Sequence, residues 1–191
     1  YTVFLRQDAV WHDGVPVTSN DVVFTIKRIQ DSQYKSPFRA NWQGVGVKQT
    51  DHHTVVFTLR TAYAPFVENL TQGIIPAHLW ENIGPEQALL HTLNLSPIGS
   101  GPYRVKRFTA QSDGSLIWYT LERNADYWGK GPYLKEITFV FFPSEDEMVG
   151  ALRRGEIDGL GPLSRDRADE INRDRQLVLS LATTRIFSVF F

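Results

Sequence analysis

Hydrophobic residues recur along this chain with two periods, and each period marks a different kind of element. Val22, Ile26 and Ile29, with Val23 beside them, follow helical spacing, and Lys27, Arg28 and Gln30 fall on the face left for water. Thr18 stands where an N-cap belongs. Asp21, three residues on, supplies the acid of a capping box, so a helix starts here and frays into Asp31, Ser32 and Gln33. From Thr54 to Leu59 the period is two, with Val55, Phe57 and Leu59 on one face of a half-buried strand. Tyr1 to Arg6, Gly101 to Phe108, Leu116 to Arg123 and Leu134 to Phe142 read as further strands. Ser144 predicts the cap of a helix running to Arg154. Glu145, Asp146 and Glu147 lie in its first turn and Arg153 and Arg154 in its last, which suits the helix dipole, and Gly155 is the stop.

The weaker segments fall between these. Residues 36–46 form a loop or short helix carrying Phe38 and Trp42, and 63–70 is a short helix after a turn. Ile74 to Trp80 reads as a strand end, a turn at Pro76 and another short helix. Residues 82–97, with Gly84, Pro85 and Pro97, link two substructures. Ile157 to Leu160 is a short strand or turn, 165–174 a polar helix and 176–181 a strand. Helices and strands mix without strict βαβ alternation, which gives the α/β (mixed α+β) class.

Composition narrows the function. The 191 residues are 42% hydrophobic and 21% charged, enough to bury a core in one or two domains. With 20 basic and 21 acidic residues the net charge is -1, so there is no basic excess for nucleic acid. No apolar run approaches the ~20 residues that cross a bilayer. Cysteine is absent, which excludes disulfides and cysteine-ligated metal and is compatible with an oxidising compartment. Both Tyr1–Leu5 and Ile186–Phe191 lie in strand pattern with no leader ahead of residue 1, so the expectation is an excerpt of a longer protein.

Candidate chemistry is sparse. Gly99-Ser100-Gly101-Pro102 lacks the third glycine of a dinucleotide fingerprint, because position 104 is Arg104, and reads as a tight bend feeding a strand. His12, His52, His53, His78 and His91 include no His-x-x-x-His or His-Glu-x-x-His pair, so no metal ligand is assigned, and no cofactor. His52 and His53 follow Asp51 in what reads as a hairpin turn. Glu156 and Asp158 are two residues apart, whereas glycosidase carboxylates come from different elements. No Gly-x-Ser-x-Gly elbow or cysteine nucleophile occurs, so the chain is expected not to be an enzyme and no residue is catalytic.

Three segments, in order, carry a family resemblance. The first runs from Tyr1-Thr2-Val3-Phe4-Leu5-Arg6 through Val10-Trp11-His12-Asp13-Gly14 and Thr18 to Asp21-Val22-Val23-Phe24. The second comprises Pro97-Ile98-Gly99-Ser100-Gly101-Pro102-Tyr103 and Leu121-Glu122-Arg123-Asn124-Ala125-Asp126-Tyr127-Trp128. The third is Ala151-Leu152-Arg153-Arg154-Gly155-Glu156-Ile157-Asp158. Together they resemble the family 5 extracytoplasmic solute-binding proteins of peptide and nickel ABC importers. That resemblance implies a periplasmic-binding-protein-like type II lobe plus the family's extra inserted domain, with the second lobe missing. By it, residues 1–93 are part of the extra domain, 94–185 part of the first ligand-binding lobe, and 186–191 the start of the crossing to the second.

The implied function is capture of di- or oligopeptides outside the cytoplasmic membrane and delivery to ABC permease subunits, by a parent protein that is periplasmic or membrane-associated, with a lipid anchor as one mode. The implied partners are a small-molecule or peptide ligand and the permease, with no nucleic acid for this segment. Nickel or oligosaccharide binding, or a solute-sensing domain of a transcriptional regulator, are the alternatives. Three residues are candidate ligand contacts. Phe38 and Trp42, with Tyr34 and Arg39 nearby, either pin a surface loop into the core or line the rim of the cleft. Arg185 either approaches ligand or pairs with an acid.

Overall fold

The computed structural model describes residues 1–161, 163 and 164. The chain divides into two compact units, Tyr1–Phe139 and Val140–Phe191. The predicted helix 165–174, the strand 176–181, the crossing segment and Arg185 lie outside the described residues.

The first unit begins with β1 (Thr2–Phe4) and α1 (Ser19–Gln30), joined through the Asp13-Gly14 turn. Gly14 sits at φ +86, the left-handed region that the turn demands, and a bridge between Val10 and Pro16 closes it. At the start of α1 the Thr18 amide donates to Asp21 Oδ2 at 2.8 Å, the reciprocal arm of the expected capping box. A short α2 (Arg39–Trp42) leads into β2 (Gly46–Asp51) and β3 (Thr54–Thr58). These strands pair antiparallel in the order β1-β3-β2, so β3 is central.

β2 has no counterpart in the sequence reading. Only Val47 of Gly46–Asp51 is even partly buried, because an edge strand needs no apolar alternation once β3 supplies its hydrogen-bond partners. β3 carries the expected inward residues, Val55 and Phe57. Val22, Ile26 and Ile29 of α1 join them, with Trp42 and Phe66, in one core cluster. Trp42 and Phe66 meet edge to face, their ring centres 5.6 Å apart.

A 3-10 segment at Ala64–Thr71 holds Phe66, and α3 (Ala77–Trp80) follows Pro76. Ile74 and Ile75 are not in a strand. The predicted link at 82–97 has structure of its own, α4 (Pro85–Ala88) and a 3-10 turn at Thr92–Asn94. A second sheet follows, β4 (Tyr103–Ala110), β5 (Leu116–Arg123) and β6 (Glu136–Val140), in that order. Thr120 and Thr138 share a hydroxyl hydrogen bond across β5 and β6.

In the second unit α5 (Glu145–Arg153) starts where Ser144 Oγ accepts from the Glu147 amide, as the sequence predicts, and Gly155 ends it at φ +72. Ile157 to Leu160 form a bend without strand pairing.

Candidate functional site

Two of the three motif segments converge on one joint in the first unit. His12 lies at its centre. Its backbone amide donates to the Gly99 carbonyl at 2.8 Å, and its Nδ1 accepts from the Gly99 amide at 3.1 Å. Because Nδ1 is an acceptor, the ring proton belongs on Nε2, which donates to the Gly101 carbonyl at 3.1 Å. Gly99 also suits the close approach, since a Cβ there would stand 3.2 Å from His12 Cε1, so that the ring would have to give by a few tenths of an ångström. Asn124, buried at 3% exposure, binds the other side of the bend. Its side-chain amide donates to the Gly101 carbonyl at 3.1 Å and its backbone amide to the Pro102 carbonyl at 2.9 Å. The Arg6 guanidinium covers the Trp128 ring, 4.1 Å from its centre.

The same turn reaches α3. Asp13 pairs with His78 Nε2 at 2.8 Å. Partial burial of Asp13 favours its protonated form, but the hydrogen bonds from His78 and the Val15 amide and the charge of His78 outweigh this and hold the carboxyl below the usual range. Asp21, at 4% exposure, spends its second oxygen on the Ala77 amide at 2.8 Å. The hydroxyl of Thr25 accepts from the Ile75 amide at 3.0 Å. Within Trp11-His12-Asp13-Gly14 the His12 ring is committed to the Gly99 and Gly101 backbone and Asp13 to His78, whereas Trp11 Nε1 is buried with no hydrogen-bond partner among the described residues.

The ligand-contact candidates sit differently. Phe38 is 49% exposed on the turn before α2, with its ring available to solvent or a ligand. Trp42 is 2% exposed, packed on Phe57 and Phe66, and anchors α2. Tyr34 Oη donates to the Ile83 carbonyl at 3.0 Å, and Arg39 Nε to the Gln30 carbonyl at 2.9 Å. Gln30, placed by its spacing on the wet face, instead donates from Nε2 to the carbonyls of Trp42 and Val45, at 2.8 and 2.7 Å. Periodicity cannot report a polar side chain recruited as a clip. The structure thus holds the loop from below and presents Phe38 outward.

In the second unit Glu156 is gripped by Arg154, whose Nε lies 2.7 Å from Oε1. That hydrogen bond, only partly opposed by desolvation, holds the Glu156 carboxyl below its usual range. A general acid needs the opposite shift. Among the described residues no group of three or more His, Asp or Glu side chains is arranged to hold a metal ion.

The whole chain, residues 1–191, matches the bacterial extracellular solute-binding proteins, family 5. The chain belongs to this family. The probable peptide-binding protein YejA of Agrobacterium fabrum is 34% identical over 171 residues, covering 82% of this chain and 26% of that protein. Among solved structures, the ABC transporter substrate-binding protein CtaP of Listeria monocytogenes is 36% identical, with a TM-score of 0.73 over 82% of this chain and 32% of its own. NikZ of Campylobacter jejuni, solved with Ni(L-His), is 26% identical, with a TM-score of 0.73 over 83% of this chain and 31% of its own. This family 5 chain therefore spans about a quarter to a third of the relatives it matches. They are solute-binding proteins, and the mixed helix-and-sheet fold is theirs.

Proposed function

We propose that this chain is part of the solute-capturing component of an ABC importer, which binds di- or oligopeptides outside the cytoplasmic membrane and presents them to permease subunits. The family match over residues 1–191 carries the reading.

In this reading residues 1–93 belong to the family's extra domain, 94–185 to the first ligand-binding lobe, and 186–191 to the crossing. The His12 joint spans the first of these boundaries, tying residue 12 to Gly99 and Gly101. Phe38 contributes apolar area at the rim of the cleft, on a loop that Trp42 anchors from the core, and Arg185 contributes a cation. Capture proceeds by closure of lobes on the solute, with transport energy supplied by a separate ATPase. The parent protein is periplasmic or held at the outer face of the membrane. Nickel is the second reading, favoured by the likeness to NikZ.

The test uses the full-length protein, unfolded and refolded to strip carried ligand, then screened by thermal shift against di- to pentapeptides, nickel with histidine, and small sugars. A ligand that binds only the native form raises the melting temperature by mass action. A shift with peptides and none with the others is expected. A shift with nickel-histidine alone moves the assignment to metal uptake, and no shift with any overturns the peptide reading.

A further inference from the structure

A groove of about 680 Å³ opens between the end of α2, the residues following β3 and the 3-10 segment at Ala64–Thr71. That is the size of a small-molecule site. Phe38 does not line it. Its walls include Asn41, Gln43, Gly44, Arg60, Tyr63 and Asn69. Arg60 is the only charged residue among the lining residues, and no carboxylate faces it there. Its guanidinium makes no ion pair or hydrogen bond among the described residues, in contrast to Arg6, Arg28, Arg39, Arg104, Arg123 and Arg154. It lies over Gly44, which has φ +78 and whose missing side chain leaves the guanidinium Nε 3.7 Å from where a Cβ would be.

Most of the groove's other polar side chains are uncommitted as well. The side-chain amides of Asn41 and Gln43 have no hydrogen-bond partner among the described residues, and Asn69 spends one amide hydrogen on the Asn41 carbonyl. Tyr63, 57% exposed, offers its ring and hydroxyl. A planar five-donor cation, flanked by amides and an aromatic face with no competing acid, matches a carboxylate on a small polar molecule.

We infer that this groove is an accessory binding site for the carboxylate of a small polar solute, with Arg60 as its anion-binding residue. Arg60 forks to the two carboxylate oxygens, and Asn41, Gln43 and Tyr63 take the rest of the molecule by hydrogen bonding and stacking. The inference stands on groove geometry alone and holds whichever solute the protein imports.

The experiment titrates the full-length protein, stripped of carried ligand and followed by backbone amide NMR at Gly44 and Arg60, with N-acetyl-trialanine, with its C-terminal amide, and with gluconate. At least one of the two carboxylates is expected to saturate in the millimolar range, with shifts at Gly44 and Arg60. The uncharged amide is expected to bind at least about tenfold more weakly. Arg60→Gln abolishes the saturable shifts, Arg60→Lys retains part of them, and unchanged spectra elsewhere report that both variants fold. Binding of the trialanine acid or of gluconate alone identifies a peptide terminus or a sugar acid as the source of the carboxylate. The inference is overturned if neither carboxylate saturates below about 10 mM, if the amide binds as well as the acid, or if Arg60→Gln binds as the parent does.

Discussion

His12 uses its backbone amide and both ring nitrogens on a single glycine-rich bend, an arrangement in which every atom has a neighbour to lose. Replacing it with alanine strands the Gly99 amide and weakens the tie at Gly101. We expect His12→Ala to lower stability by about 1–2 kcal/mol, read as a shift in urea midpoint at constant slope. Gly99→Ala tests the same contact from the other side, because the added methyl forces the imidazole away. A melting temperature equal to the parent's would show that the bend yields freely. Asp13 gives a pH dependence. Its folded pKa lies below its unfolded value, so its contribution is fully present above the unfolded pKa of about 4 and is lost as pH falls through the folded value. Asp13→Asn should be less stable than the parent at pH 7, and the gap should close on acidification below about pH 4. A gap that stayed constant in denaturant titrations from pH 7 to 3 would rule out the ionic origin.

At the scale of elements, α1 shows how much was legible. Spacing identified its buried stripe and its capping box because both are local: the stripe follows from 3.6 residues per turn and the cap from residues three apart. The second oxygen of Asp21, on the Ala77 amide, and the clip made by Gln30 were not legible, since their partners are brought near only by the fold. β2 escaped for a related reason: its polar sequence becomes a strand when β3 offers an edge. The loop carrying Phe38 and Trp42 had two readings in sequence, and packing divides them between the residues, Trp42 inward and Phe38 outward. Trp42→Ala should therefore cost about 3–5 kcal/mol, as for a large aromatic removed from a core. Phe38→Ala should leave chemical denaturation almost unchanged while weakening solute binding by the full-length protein. A stability loss at Phe38 comparable to that at Trp42 would contradict this division.

At the scale of the whole molecule, the relatives are some three times longer than this chain, and in the proposed reading solute capture between lobes needs surfaces from both. The 191-residue chain is accordingly expected to show no micromolar peptide affinity in calorimetry while the full-length protein does; micromolar binding by the shorter chain would relocate the site into it. The sequence by itself determined the family, the mixed fold class, and the positions of α1, β3, β5 and α5. Each of these is written in residue type and short-range spacing. Only the tertiary structure decided that Trp11-His12-Asp13-Gly14 clasps the Gly99–Tyr103 bend, that Trp42 is core, and that Arg60 stands unpaired in a groove. Those facts depend on contacts between residues tens of positions apart, and no local period encodes which distant backbone a side chain will find.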